Sequence, residues 1–393
     1  MNFIKPVLKA PLLVLAVFIL LVAKLIQPVI RFQLCIVGFH RYGHLALEPE
    51  IFLAEKEISK KNRQAKQRVI SIWSFGPTSK QSNRFLAKKW KEELSVCPSW
   101  LIGSLHKAGQ ILPFLKLDQA KLSITGNSNG LDKTNPHISL SDEEIALGKQ
   151  QIAAMGIDPD KPYVCLIVRD GGHYKSKGDF ESAGFKLLNF DINDFAGVAE
   201  ELIDNGFQVI RMGSGTESPF SSKPEGVVDY AVSEYRSEFL DVFLAATCKF
   251  AVSTQTGPDA VCMLFRRPVL YVDVTRYGQF FFGSNIATWS PVRLFKNGEL
   301  LNLSEVINSE VAWIKDPNGF LENGITQQKS SKEELKVLTR SYIHTKGGES
   351  EIARRVRSNV SHGLGERGKL QFGDVTACLA PDVEQILGDW VMK

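Results

Sequence analysis

No CxxC pair and no cysteine–histidine cluster occurs in the sequence; its six cysteines, Cys35, Cys97, Cys165, Cys248, Cys262 and Cys378, are scattered. That excludes a zinc finger or ribbon and a disulfide framework, and it points to a reducing compartment. An excess of one charge is also missing, with 47 basic against 43 acidic residues and a formal net charge of +4. This balance excludes nucleic acid as a partner, which needs a concentrated basic face, but leaves room for a local anion site. Apolar residues are not depleted (44% hydrophobic, 10% aromatic), so the chain is not intrinsically disordered. Internal repeats are absent, and only one long apolar run exists, which excludes a multi-span transporter.

That run covers residues 10–23, with Lys5 and Lys9 before it and Lys24, Arg31 and Arg41 after it. A bilayer span takes about 20 apolar residues, a length reached here only if Lys24 snorkels and residues 25–30 join the segment. No small-x-small cleavage site follows. Residues 1–31 therefore read as a membrane anchor, either spanning or lying in the plane, with a short buried core helix as the alternative. Basic residues downstream (Lys56, Lys60, Lys61, Arg63, Lys66, Arg68) place the body at the cytoplasmic face of the inner (plasma) membrane.

Beyond the anchor, strand-like and helix-like segments alternate, the pattern of parallel sheets covered on both faces. Residues 32–37 and 67–72 read as strands, and 47–58 and 84–94 as helices, with Pro49 tolerable only in a first turn. A polar, turn-rich stretch over 116–139 separates a first domain (32–140) from a second (141–325). The second opens on a capping box, Ser141 to Glu144, and carries strands at 163–168, 208–212, 250–252 and 269–274. A charged tail, 326–393, is expected to pack back across the domains.

In open α/β sheets ligands bind at the carboxyl ends of the strands, which selects four loops. Ser253-Thr254-Gln255-Thr256-Gly257-Pro258-Asp259 follows a buried strand and opens a helix, offering amides and hydroxyls to an anion. Arg169 and Asp170 end another strand before Gly171-Gly172, with His173 and Lys175 close behind, and supply charge for a phosphate. Gly213-Ser214-Gly215 with Glu217 suits a nucleotide, the carboxylate reaching a ribose. In the first domain His44 lies near a helix start, where the neutral, proton-accepting form is favoured, and Glu48 stands four residues on to orient it. Each loop also has a plainer reading, as a helix cap, a surface ion pair or a turn.

Three stretches resemble the heptosyltransferase-like glycosyltransferases of family 9, and more closely a glycosyltransferase family found among bacterial surface-polysaccharide genes. They are Arg41-Tyr-Gly-His-Leu45, residues 195–213, and residues 250–260 continued by Arg267-Pro-Val-Leu270. The resemblance covers residues 33–275 and implies a GT-B fold, two Rossmann-like doubly wound domains facing a cleft. His44 stands where the heptosyltransferases carry their catalytic Asp, and Asp259 where a His follows Gly-Pro. Of an Arg-Asn pair expected in the closer family only Asn189 is present, preceded by Leu188, with Lys186 as a substitute cation.

The resulting expectation is an inverting glycosyltransferase in surface polysaccharide biosynthesis, hexosyl- or heptosyltransferase-like. Its partners are a nucleotide-sugar donor and a glycan or lipid-linked acceptor. His44 or Glu48 would be the base, and Arg169 with the 253–257 amides would stabilise the leaving diphosphate. No DxD pair lies on these loops, so no metal or other cofactor is called for. A nucleotide-sugar epimerase of the same fold and a non-catalytic, membrane-tethered sugar-nucleotide-binding protein remain alternatives.

Overall fold

The computed structural model describes residues 9–62, 68–124, 128–172, 175, 182–216, 218–277, 284–302, 305–306, 308–345 and 378–379. The chain divides into two compact units, Met1–Ile124 and Thr125–Lys393, rather than at the 140/141 boundary read from the sequence. Bonds explain the difference, because residues preceding Ser141 belong to the second unit. Arg266 donates to the carbonyls of Thr134 and Asn135, and Asp132 accepts from Ser284 and Asn285.

The first unit consists of α1 (Lys9–Ile26), β1 (Ile30–Ile36), α2 (Tyr42–Asn62), β2 (Arg68–Ser74), α3 (Arg84–Glu93), α4 (Ser99–Ile111) and β3 (Asp118–Gln119). Its strands form a parallel sheet in the order β2-β1-β3. Strand alternation sends Leu34, Ile36 and Ile72 into a cluster with α1 and α4, whereas Trp73 meets Phe52 of α2 edge-on at 5.3 Å. The sheet is thus covered on both faces, as a parallel sheet requires.

Of the expected membrane anchor, spanning or in-plane, α1 gives the span no support. Among the described residues no helix is long and apolar enough to cross a membrane. One face of α1 is already spent on protein: Ala16 and Leu20 are fully buried against Leu34, Ile102, Leu105 and Ala108. Helix α2 corrects a second expectation, since it begins at Tyr42 and carries Pro49 in its interior.

The second unit consists of α5 (Asp142–Ala154), β4 (Tyr163–Ile167), α6 (Ala183–Lys186), α7 (Ala196–Asp204), β5 (Gln208–Met212), β6 (Val227–Asp229), α8 (Glu238–Thr247), β7 (Phe250–Ser253), α9 (Asp259–Leu264) and β8 (Val269–Val274). It continues with β9 (Ala287–Pro291), β10 (Arg293–Lys296), β11 (Glu299–Leu300), α10 (Asn318–Glu322), β12 (Ile325–Gln328), α11 (Lys332–His344) and β13 (Cys378–Leu379). The capping box at α5 is formed in full, Ser141 N–H to Glu144 at 2.7 Å and Glu144 N–H to Ser141 Oγ at 3.2 Å.

Seven strands make one parallel sheet in the order β13-β9-β8-β7-β4-β5-β6. From β6 to β9 this is the doubly wound order 3-2-1-4-5-6, and the chain reverses direction of travel between β4 and β7. Strands β10, β11 and β12 form a separate antiparallel sheet. Of the tail expected to pack back across the domains, residues 326–345 and 378–379 are described and belong to the second unit, and the rest lies outside the described residues. Within that unit α11 lies along α7, and Arg340 pairs with Glu201 through two bonds of 3.0 and 2.7 Å.

Candidate functional site

In the first unit the loop after β1 leads into α2, and the early helix start puts His44 and Glu48 one turn apart on one face. His44 Nδ1 lies 2.7 Å from Glu48 Oε1, and Glu48 Oε2 accepts the Gly38 N–H at 2.7 Å. The carboxylate is buried and the imidazole partly exposed, so the carboxylate fixes the ring and leaves Nε2 as its outward nitrogen. Gly38 has no room for a side chain: a Cβ there would stand 2.9 Å from His44 Cβ. This carboxylate–imidazole pair can take a proton from a bound hydroxyl.

In the second unit the other three loops follow the carboxyl ends of adjacent strands, β5, β4 and β7. At the switch point the Arg169 N–H donates to Thr254 Oγ1 at 2.8 Å, and Thr254 N–H donates to the Ile167 carbonyl at 3.1 Å. These two bonds lock the loop after β4 to the loop after β7. The Arg169 guanidinium lies over the Phe185 ring at 5.8 Å.

Asp170 is half-buried, with Arg169 among the charges acting on it. It accepts the Gly172 N–H at 3.0 Å and faces Arg211 at 3.8 Å, and burial raises its pKa. Lys175 is exposed beside this turn.

The 253–259 loop differs from its expected form, a set of amides open to an anion. Its own Asp259 carboxylate accepts from Ser253 Oγ and from Thr256 N–H, both at 2.6 Å. Burial pushes that carboxyl up to about 6 against those two bonds. Gln255 takes a left-handed φ of 63°, and its amide nitrogen is buried without a hydrogen-bond partner. Gly257 precedes Pro258, which occupies the cap position, one residue before the first helical residue, Asp259.

Gly213-Ser214-Gly215 forms the turn after β5. Gly215 is left-handed (φ 62°), the Gly213 carbonyl accepts from Arg236 at 3.1 Å, and Ser214 is exposed. Glu217 and His173 lie outside the described residues.

Three side chains at this edge escape the sequence reading. Arg211, only 1% exposed, pairs with Asp229 at 3.1 Å and bonds the Ser218 carbonyl at 2.9 Å. Its one visible signal is a cation inside an otherwise apolar strand. Lys329, from the tail, donates to the Asn189 carbonyl and sits 4.0 Å from the Phe190 ring. It supplies a cation beside Asn189. Asp273, at the end of β8 with φ 51°, accepts from Ser330 N–H and Oγ, and burial pushes it up to about 6. No sequence motif links residues 189, 273 and 329, which meet only through the fold.

No protein-family model matches the chain, and no curated protein matches it. Among solved structures it is similar to the ADP-heptose LPS heptosyltransferase II of E. coli, at 15% identity, 74% of this chain, 96% of that chain and a TM-score of 0.41. It is also similar to a family 9 glycosyl transferase from Veillonella parvula, at 10% identity, 64% and 82% coverage and a TM-score of 0.40. A third is an iron-containing dodecameric heptosyltransferase in complex with ADP-D-beta-D-heptose, at 13% identity, 65% and 61% coverage and a TM-score of 0.34.

Proposed function

We propose that the chain is an inverting glycosyltransferase that moves a sugar from a nucleotide-sugar donor to a hydroxyl of a glycan or lipid-linked acceptor. Its setting in this reading is surface polysaccharide biosynthesis at the cytoplasmic face of the inner membrane. The observation that carries the reading is the Arg169–Thr254 tie at the point where the strand order reverses, the place where sheets of this order hold nucleotides. The motif resemblance of residues 41–45, 195–213 and 250–270 supports it, as does the His44–Glu48 pair.

The chemistry follows from the groups available. His44 Nε2 takes the acceptor proton while the acceptor oxygen bonds to the anomeric carbon. The bond from that carbon to the phosphate oxygen breaks, and its electron pair leaves on the diphosphate. Arg169, with Lys175 and Lys329 along the same edge, offsets the charge that grows there. This route involves no metal.

Thermal shift and donor hydrolysis, measured with a panel of nucleotide sugars on the full chain, test the reading. Stabilisation by one donor, with turnover lost in His44→Ala, is the expected result. Binding by none of them sinks it, and epimerised donor without transfer assigns the fold to the epimerase chemistry.

A further inference from the structure

Helix α1 is apolar on every side, yet it is half of a protein core. Its inner face is buried with Leu34, Leu105 and Ala108. Its outer face carries Val14, Phe18, Leu21 and Leu25, which are 70, 63, 44 and 79% exposed. Those positions follow the 3, 4 and 7 spacing of one helical stripe. Alongside it α4 presents a second stripe, Trp100, Lys107 and Ile111, and the turn after α4, which touches α1, adds Phe114 at 70% exposure. An apolar surface of this extent is not left in water by a folded protein without a function.

Charge identifies what covers it. Residues 1–47 contain five basic residues and no Asp or Glu, and residues 94–117 contain two basic residues and again no acid. All 43 acidic residues lie elsewhere in the chain. We propose that the outer face of α1, with the outer stripe of α4, docks in the plane of an anionic lipid bilayer.

A second copy of the chain is a poorer occupant. Arg31 is already paired with Asp118, so the free cations beside the two stripes are Lys24 and Lys107; an isologous dimer would set these against their own copies, whereas anionic headgroups neutralise them. Docking is in-plane because the inner face of α1 is held by β1 and α4. Trp100 and Phe114 are suited to the interface, and Lys24 and Lys107 to the headgroups. This proposal deepens the membrane location given above, but it stands on packing and charge and not on sugar transfer.

The test is co-flotation of the purified full chain with vesicles of phosphatidylglycerol and phosphatidylethanolamine, against vesicles of neutral phosphatidylcholine. Flotation with the anionic vesicles only, weakened by salt, is expected. Phe18→Glu and Leu25→Glu should each reduce it by about tenfold or more, and, being on exposed positions, should leave the melting temperature and donor binding unchanged. No flotation, or flotation indifferent to both variants, overturns the proposal. Resistance to alkaline carbonate extraction would assign a span instead. A concentration-dependent dimer lost in Phe18→Glu would give the face to a second copy. Donor binding and hydrolysis, read in the same samples without vesicles, keep failure of docking separate from failure of the transferase reading.

Discussion

The indole N–H of Trp90 donates to the Leu45 carbonyl at 3.0 Å, inside the first unit. That carbonyl is the one a helical N–H four residues on would take, and residue 49 is proline, which has none. A side chain of α3 therefore completes the hydrogen bonding of α2 at the turn where proline interrupts it. The same turn holds His44 and Glu48, so the helix register that aligns them depends on this repair.

Trp90→Phe keeps most of the buried ring but strands the Leu45 carbonyl, and a loss of about 1–3 kcal/mol is expected in urea unfolding. In a Pro49→Ala background the backbone N–H regained at that position can bond the carbonyl, so the penalty of Trp90→Phe should shrink. Equal penalties in the two backgrounds would refute the assignment of Trp90 as the substitute donor.

For the His44–Glu48 pair, His44→Ala should lower turnover by roughly 10²–10⁴-fold while leaving donor-induced thermal stabilisation intact. Glu48→Gln should lower turnover less, because the amide still accepts the Gly38 N–H but no longer holds the ring as a carboxylate does. Gly38→Ala should mimic Glu48→Gln, since its new Cβ would meet the His44 side chain at 2.9 Å. Parallel loss of donor stabilisation in all three would show a folding defect and count against a base in this loop.

Much of the fold was legible because its signals are local. The strand at 208–212, the Ser141 capping box and the apolar strand at 269–274 are set by alternation, capping chemistry and continuous burial within a few residues. The start of α2 was misread because a rule about isolated helices forbids Pro49 inside one, and the compensating donor lies 41 positions away at Trp90, which no local pattern reports. The depth of α1 escaped for a similar reason. Apolar on all sides, it reads alike as an anchor and as core, and only its neighbours Ile102 and Leu105 show that one face is taken. The loop at 253–259 was found by position, but its internal closure by Asp259 depends on side-chain geometry.

Arg211 is the test of whether the edge of the second sheet is held from below. Arg211→Met leaves Asp229 and Asp170 without the cation they share, and should cost about 3–5 kcal/mol. Adding Asp229→Asn should recover part of that loss in the double variant, because one of the two stranded carboxylates is then neutral. If the double variant is no better than Arg211→Met, the cost lies in lost packing and not in the charges. Weaker donor stabilisation in Arg211→Met, measured well below its melting temperature, would link this buried cation to the position of Asp170 and its loop.

Asp259 gives a pH dependence whose sign is opposite to that of a salt-bridged carboxylate. Its pKa rises from 3.8 to about 6 on folding, so the folded chain binds a proton more tightly than the unfolded one. The stabilisation is present in full below the unfolded value of 3.8. It falls away as the pH rises through about 6, by ~3 kcal/mol at most. Asp273, pushed up to about 6 by burial, acts in the same direction, while Glu201 and Glu334, both lowered, act in the other. A wild-type profile mixes these, but the difference between wild type and Asp259→Asn isolates one group, because Asn keeps an acceptor for Ser253 Oγ and Thr256 N–H. Urea unfolding at pH 4 and pH 7.5 should show the variant gaining on wild type as the pH rises. A difference independent of pH would mean that the two loop hydrogen bonds already compensate the buried carboxylate, and that the loop is built to carry its own negative charge.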